Sequence, residues 1–458
     1  MVKLNRPNRA TSWRLSALLT VMAFGGACVQ LLGLEPGELR GSATSSGAGG
    51  AGQGGTGGVG GGGTGGCSGN LTICGNECTD MKVDAAHCGS CGKTCLKNQI
   101  CAVGMCVFKC VDGPFAAKVD YATGLAPTGV AAGDFNSDQK LDLAIANYSS
   151  RTVSIMLGKG NGTFAAKVDF PTGDSSKPYG IAVGDFNSDQ KLDLAVRDKN
   201  TARLYVLLGK GNGTFADKVN YTAGGAPGDV AVGDFNGDLK PDLAVTNVNT
   251  NTVSILRGKG DGTFADKVNF STGKSPHDVS VGDFNGDQKL DLTVANYDSN
   301  TVSILVGDGT GTFMAKVDYP AGNTPVSVAV GDFNGDLKLD LTVANHVDSN
   351  TVSVLVGNGD GTFKKKVDYP TGRSPRSVVV GHFNGDLKPD LAVTNQSSHT
   401  VSVLAGKGDG TFAAKVDYPT GNYPRSVAKG DFNGDDNPDL AVTNEDGSTV
   451  SILLSPCN

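Results

Sequence analysis

Tryptophan and histidine are scarce in this chain of 458 residues, which has one tryptophan and five histidines. The tryptophan, Trp13, lies near the N-terminus, so tyrosine would have to stack on any sugar ring that the rest of the chain contacts. The sequence has no nucleophile elbow, no His-Glu-x-x-His motif, no arrangement of histidines that suggests a triad and no acid pair outside its repeats. We therefore expect a protein that is not an enzyme.

Basic stripes and long apolar runs are also missing from most of the chain. The net charge is −7, which argues against a nucleic-acid partner. Beyond the N-terminal region no segment is apolar for about 18 residues, so no other segment is expected to span a membrane. No helical periodicity of useful length is present.

The N-terminus has the pattern of an export signal over residues 1–27. Leu15 to Ala27 is an apolar run that ends in small residues before Cys28, and it is preceded by a basic region with four residues: Lys3, Arg6, Arg9 and Arg14. The segment resembles a bacterial lipoprotein signal, in which Cys28 would be acylated, although Gly25 stands where such signals usually carry leucine. A plain secretory signal and a short membrane anchor that continues to Leu34 are the alternatives. We expect an exported, surface or secreted protein that touches a membrane only through a lipid at Cys28.

Two segments without a hydrophobic core follow the signal. Residues 28–66 are rich in glycine and are expected to be a flexible linker. Residues 67–110 contain nine of the eleven cysteines, and loss of Cys28 would leave an even number for disulfides. The Cys-Gly-Ser-Cys sequence at 88–91 is also compatible with zinc or redox chemistry, but export favours disulfides. The cysteine spacing resembles that of Stig1-like repeats, and we expect a small disulfide-rich domain.

From residue 111 to residue 458 the chain repeats one unit of about fifty residues. The motif Asp-Phe-Asn-x-Asp-x-x-x-Asp-Leu begins at 134, 185, 234, 283, 332 and 431, and at 382 with histidine in place of the first aspartate. Each copy has four short runs rich in Val, Ile, Leu and Thr, and Asn-Gly or Asp-Gly lies between the third and fourth runs. Four antiparallel strands repeated seven times predict an all-β fold, a seven-bladed β-propeller.

The two ends of the repeat array predict how the ring closes. Gly-Thr-Phe opens the fourth run six times, and the seventh copy lacks this run because the chain ends soon after Leu454. A matching segment, Gly113-Pro114-Phe115, stands before the first copy. We therefore expect an N-terminal strand to complete the last blade, which removes two open sheet edges. Cys110 and Cys457 flank this junction and are expected to pair.

The repeated motif places side-chain oxygens at positions 1, 3, 5 and 9, with a carbonyl available at position 7. A hard divalent cation needs such a tight loop of oxygen ligands, so we predict about six Ca²⁺ sites. Their residues are Asp134, Asn136, Asp138, Asp142; Asp185, Asn187, Asp189, Asp193; Asp234, Asn236, Asp238, Asp242; Asp283, Asn285, Asp287, Asp291; Asp332, Asn334, Asp336, Asp340; and Asp431, Asn433, Asp435, Asp439. An Asx-type turn, in which the acids bond backbone amides, is the alternative. The copy with His382 is expected to be weak or empty.

On these motifs the repeats resemble FG-GAP or VCBS-type proteins, whose blades are similar to those of the integrin α-subunit propeller. The resemblance implies calcium between the first two strands of each blade, in a structural role. Related loops usually carry glycine at position 6, but here that position is Gln, Leu or Asp. A non-glycine residue held at positive φ costs about 1 kcal/mol or more, so we expect modest affinity.

The opposite face of the propeller is the expected binding surface. Its loops join the second and third strands or precede each first strand, and they include 147–151, 345–348, 274–277, 373–376 and 422–425. They vary more between copies than the strands do, as binding loops on a rigid scaffold do, although a merely solvated rim is the alternative. We expect an adhesion module whose partner is an extracellular protein or glycan. A lectin-like binder and a polysaccharide-degrading enzyme are the other readings; the enzyme would require one copy to break the pattern, as His382 does.

Overall fold

The computed structural model describes residues 115–455 and four short strands that precede them. These strands are β1 (Thr72–Cys74), β2 (Glu77–Thr79), β3 (Gln99–Ala102) and β4 (Met105–Phe108). They pair as two antiparallel hairpins, β1 with β2 and β3 with β4. The predicted export signal, the glycine-rich linker, the disulfides and the Cys110–Cys457 pair lie outside the described residues.

Residues 115–455 form seven four-stranded antiparallel sheets, which confirms the predicted propeller. Strand β5 (Val119–Ala122) comes first, and β6 to β9 then form blade one: Pro127–Gly133, Asp142–Asn147, Thr152–Met156 and Val168–Pro171. Blade two contains β10 to β13: Pro178–Gly184, Asp193–Asp198, Arg203–Leu207 and Val219–Thr222. Blade three contains β14 to β17: Pro227–Gly233, Asp242–Asn247, Thr252–Leu256 and Val268–Ser271.

The remaining blades repeat this plan. Blade four contains β18 to β21: Pro276–Gly282, Asp291–Asn296, Thr301–Leu305 and Val317–Pro320. Blade five contains β22 to β25: Pro325–Gly331, Asp340–Asn345, Thr351–Leu355 and Val367–Pro370. Blade six contains β26 to β29: Pro375–Gly381, Asp390–Asn395, Thr400–Leu404 and Val416–Pro419. Blade seven contains β30 to β32: Pro424–Gly430, Asp439–Asn444 and Thr449–Leu453.

Strand β5 closes the ring, as the ends of the array predict. It pairs antiparallel with β32, and Val119 lies opposite Ile452. The side chain of Ser451 donates a hydrogen bond of 2.6 Å to Asp120, and the amide of Ala116 donates one of 2.9 Å to the carbonyl of Leu454. The first strands of neighbouring blades contact one another around the ring, including β30 with β6. The first strand of each blade therefore lies nearest the central axis.

The fourth strands are shorter than the sequence predicts. The Gly-Thr-Phe segments were expected to open them, but in blade one Phe164 makes only an isolated bridge to Gly158, and the strand proper begins at Val168. The same bridge forms in the next five blades. The reason is packing: the Phe164 side chain turns inward between two blades and is 6 % exposed, while the strand that follows is largely exposed.

The core consists of seven apolar layers, each between two neighbouring blades. The second and third strands supply most of these residues and are almost wholly buried. The phenylalanine of each repeated motif is at most 2 % exposed and packs against the Gly-Thr-Phe phenylalanine of the next blade, with ring centroids 5.3–5.9 Å apart. Phe115 takes this place beside Phe383, so the closing segment supplies the seventh pair. Burial of one such ring contributes about 1.5–3 kcal/mol.

None of the described residues forms a helix long and apolar enough to cross a bilayer.

Candidate metal and binding sites

The predicted metal loops all lie between the first and second strands of a blade, at one face of the ring. In six blades the carboxylate at position 1 organises the loop. It accepts hydrogen bonds from the amide at position 5 (3.1–3.3 Å) and from the amide at position 6 (2.7–2.8 Å). The Asx-type turn that the sequence allowed is therefore present. It does not exclude a cation, because the second carboxylate oxygen accepts only the amide of position 6 and keeps a lone pair.

Positions 4 and 6 of the loops both adopt the left-handed conformation. Position 4 is glycine in five blades and serine in two, and position 6 has φ between 61° and 65° in all seven. The expected strain at position 6 is thus confirmed. Leu239 and Leu337, at this position, are also more than 90 % exposed, so neither backbone preference nor burial favours leucine there.

The carboxylate at position 9 is fully buried and joins the loop to the blade. In blade one, Asp142 accepts hydrogen bonds from the amides of Phe135 (2.9 Å) and Gly158 (2.7 Å). The equivalent pair of bonds recurs in every blade, with Ser455 in place of the glycine in blade seven. The pKa of Asp142 is raised to about 6, chiefly by burial and also by the nearby Asp138 and Asp134, against the lowering effect of the two amides.

The loops suit a calcium ion in the type of their ligands and in their backbone trace. Asp and Asn oxygens are hard donors, and the two left-handed residues turn the loop tightly. Among the residues that the structure describes, no three acidic, histidine or cysteine side chains are already gathered as a metal cluster. Asp134 and Asp138 are nevertheless near enough to Asp142 for their charges to raise its pKa.

The loop of blade six differs at its first residue. His382 cannot accept the two amide bonds that the position-1 carboxylate accepts elsewhere. The backbone amide of Asn384 instead donates to Asp390 at 3.2 Å. Burial and the nearby Lys429 lower the pKa of His382, which favours the neutral imidazole. The prediction that this site is weak or empty stays a prediction.

Each metal loop is tied to the hairpin of the next blade. The amide of Gly213 in blade two donates a 2.8 Å hydrogen bond to the carbonyl of Phe135 in blade one. Five further bonds of the same length repeat this link, including Gly162 to Phe432 across the closing junction. These bonds join each loop to the neighbouring blade through backbone atoms.

Lowering the pH should weaken calcium binding by the metal loops, and the raised pKa values of the position-9 carboxyls give the reason. The position-9 carboxyls have pKa values of about 6 to 7, above that of an unfolded aspartate, because they are buried. Folded protein without metal therefore holds their protons more tightly, and they add stability below pH 4 that is lost as pH rises through 6–7. Calcium needs the ionised form, so its binding should weaken as pH falls from 7.5 to 5.5.

The measurement is a thermal melt at pH 7.5 and 5.5, with 1 mM calcium and after metal removal on a chelating resin. We expect the calcium-induced rise in Tm to shrink at pH 5.5. In the metal-free sample, His277 and His346 act against the aspartates, which gain stability on acidification. Burial lowers the pKa of both histidines to about 4, so acidification reduces the stability of the folded protein at these two residues. The calcium increment is the cleaner readout, and an increment that grew on acidification would contradict the prediction.

The other face carries the loops that the sequence assigns to binding, and several of them meet near the axis. Tyr148 lies 6.3 Å from Tyr179, centroid to centroid, and the His277 ring stacks on Tyr297 at 4.6 Å. The Arg425 guanidinium, from blade seven, stands 4.5 Å from the centroid of the Tyr179 ring in blade two. These blades are not neighbours, so the contact lies close to the mouth of the central channel.

Sequence reasoning missed the residue at the centre of this cluster. Arg197, on the second strand of blade two, is 7 % exposed, lies 4.0 Å from the Tyr179 ring centroid and donates a 2.9 Å hydrogen bond to the carbonyl of Pro227. The other six blades have alanine or threonine at this place in the strand. The signal was present, because the second copy breaks the repeat here. His382 is thus not the only residue that breaks the pattern of the repeats.

Comparison with known proteins agrees with this architecture. The family model described as FG-GAP-like repeat matches residues 134–196, 185–245, 234–294, 283–343, 332–393 and 382–442. The model of the stigma-specific STIG1-like protein family matches residues 60–109. No curated protein matches the chain significantly.

Solved structures share the fold at low identity. A crystal structure of BBS1N in complex with ARL6DN is 17 % identical, with a TM-score of 0.55, and the match covers 76 % of this chain and 98 % of that one. A streptogramin B lyase is 14 % identical, with a TM-score of 0.52 and coverage of 74 % and 98 %. A catalytically inactive virginiamycin B lyase from Staphylococcus aureus with quinupristin is 13 % identical, with a TM-score of 0.51 and coverage of 74 % and 99 %. At such identities the likeness concerns the fold alone.

Proposed function

Because the chain belongs to the family of FG-GAP-like repeat proteins, we propose that it is an exported, calcium-binding propeller that acts as a surface binding or adhesion module. Calcium holds the loops of one face in a structural role. The opposite face contacts an extracellular protein or glycan. The N-terminal signal pattern and the cysteine-rich segment support export, and a lipid at Cys28 would keep the propeller at the surface.

The observation that carries the proposal is the contrast between the two faces. On one face the same acid-organised loop recurs in six blades with nearly the same hydrogen bonds. On the other face equivalent positions carry different side chains: Tyr148, Lys199, Val248, Tyr297, His346, Gln396 and Glu445. Uniform loops suit a shared structural role. Varied side chains on a rigid scaffold suit recognition of a partner.

A binding screen with and without calcium tests the proposal. The full chain would be applied to a glycan array and to a panel of extracellular matrix proteins, each in 1 mM calcium and in chelator. We expect binding to one panel that weakens in chelator, because loss of the ions loosens the scaffold. Absence of binding to both panels would contradict the adhesion role and leave a passive scaffold. Turnover of an acidic polysaccharide would instead support an enzymatic function, which the sequence argues against.

A further inference from the structure

Positively charged side chains outnumber acidic ones at the mouth of the central channel, on the face opposite the metal loops. The cations come from blades two, six and seven and are Arg197, Lys199, Arg376 and Arg425. Arg376 is close enough to lower the pKa of Arg197 and of Lys199 by repulsion. Blades two and six are separated by two blades on the shorter way round. Side chains from them meet only near the axis.

Two of the four cations have acidic partners. Arg425 forms an ion pair with Glu445, and the Arg197 Nε lies 3.8 Å from the Asp229 carboxylate. Asp278 lies beside Asp229 and also acts on Arg197. Three acids therefore face four cations, which leaves one positive charge without a counter-charge.

Arg376 has no such partner within residues 115–455. It is half-buried, and its side chain makes no ion pair or hydrogen bond there. Its Nε is a buried donor without an acceptor, whereas its two terminal nitrogens are not fully buried. Glu445 is the acid whose charge acts on Arg376, but it is already paired with Arg425. The unpaired Nε costs stability, because its hydration is lost and nothing replaces it. The terminal nitrogens of Arg376 are the donors that an acceptor from outside the chain can reach.

We propose that this basic channel mouth is a binding site for a carboxylate or sulfate group carried by an acidic glycan. Arg376 holds the oxyanion through its unpaired donors, since a guanidinium forms charge-assisted hydrogen bonds of matching geometry with carboxylates and sulfates. Lys199 and the paired Arg197 and Arg425 add positive potential. One face of the Tyr297 ring is covered by His277, and Lys177 stands over one face of Tyr148. The opposite faces of these two rings are the apolar surfaces that we assign to a sugar ring, which favours a glycan over an acidic peptide.

The proposal deepens the proposed function and rests on it only in taking this face as the binding face. The test uses the full chain in calcium and follows Tm and calorimetric binding during titration with sodium sulfate, free galacturonate and oligogalacturonate. Sodium chloride at equal ionic strength and a neutral galactose oligomer are the blanks. An acidic peptide is tested in parallel. Calcium uptake is measured separately, so a failed metal site and a failed anion site are distinguishable.

The deciding variant is Arg376→Met, and Arg203→Met is its matched control. Arg203 is an exposed arginine at the start of strand β12 and belongs to none of the loops assigned to binding. We expect Arg376→Met to weaken binding of oligogalacturonate and sulfate about ten-fold or more, with an unchanged or higher Tm in the absence of anion. Arg203→Met should leave binding and Tm as they are.

Three results would overturn the inference. A fall in Tm of Arg376→Met with anion binding intact would make Arg376 a structural residue. Response to free sulfate and galacturonate without any gain from the oligomer would reduce the site to a small-anion site and remove the glycan. Tighter binding of the acidic peptide than of the oligogalacturonate would replace the glycan with a protein partner.

Discussion

Removal of calcium should lower the Tm of this propeller by on the order of 10 °C. Extracellular calcium modules have Kd values that reach down to about 0.1 mM, so 1 mM calcium adds about 1.4 kcal/mol for each loop that binds it. Six loops then add roughly 8 kcal/mol, and a domain of this length loses about 0.7 kcal/mol per degree near its melting point. A thermal melt in 1 mM calcium and in excess chelator measures the difference.

Two substitutions show whether the repeated loops are responsible. Asp234→Asn should remove about one sixth of the calcium-induced rise in Tm, because Asp234 organises its loop through the amides of positions 5 and 6. His382→Asp should have the opposite effect: it restores the missing carboxylate in blade six and should raise the bound calcium from six ions to seven per chain. Equilibrium dialysis counts the ions. Identical Tm values in calcium and in chelator would contradict the prediction that these loops bind calcium.

Loss of the closing strand should abolish the monomeric propeller. A chain that begins after Ala122 lacks β5, so strand β32 becomes an open edge and the apolar layer around Phe383 loses Phe115. An open edge pairs with other chains, so we expect oligomers or precipitate rather than a slightly less stable monomer. Size-exclusion chromatography with light scattering, together with a thermal melt, measures both effects.

Phe115→Ala tests the same junction without changing the backbone, and Phe164→Ala in blade one is its matched control. Phe115 packs against Phe383 and Tyr418, while Phe164 packs against Phe432 and Tyr121, at centroid distances of 5.5–5.6 Å. Each change should cost about 3–5 kcal/mol, since both remove a buried ring. A much smaller cost for Phe115→Ala would mean that the closing segment is dispensable.

The sequence predicted the repeat, the number of blades and the closing strand because each depends on local patterns. Short apolar runs, Asn-Gly or Asp-Gly turns and a missing last run can be recognised in one copy at a time. The predicted start of the fourth strand was wrong, because packing between blades rather than strand pairing determines the position of Phe164. That preference depends on a neighbouring blade about fifty residues away.

The binding face was only partly predictable for a similar reason. The sequence identified the loops with Tyr148, His277 and Arg376, because they vary between copies. It missed Arg197, which lies within a strand and looks like an ordinary substitution until the ring brings blades two, six and seven together. Convergence on an axis is a property of the closed ring, and no single copy of the repeat contains it.

The closing segment, residues 115–122, also determines where mechanical load enters the molecule. Any tension on the part of the chain that precedes residue 115 reaches the propeller first at Phe115 and Ala116 and then at Val119–Ala122, whose only strand partner is β32 of blade seven. Under tension from a tethered N-terminus, this segment would carry the force before the other blades are strained. The segment that completes the circle would therefore be its first point of mechanical failure.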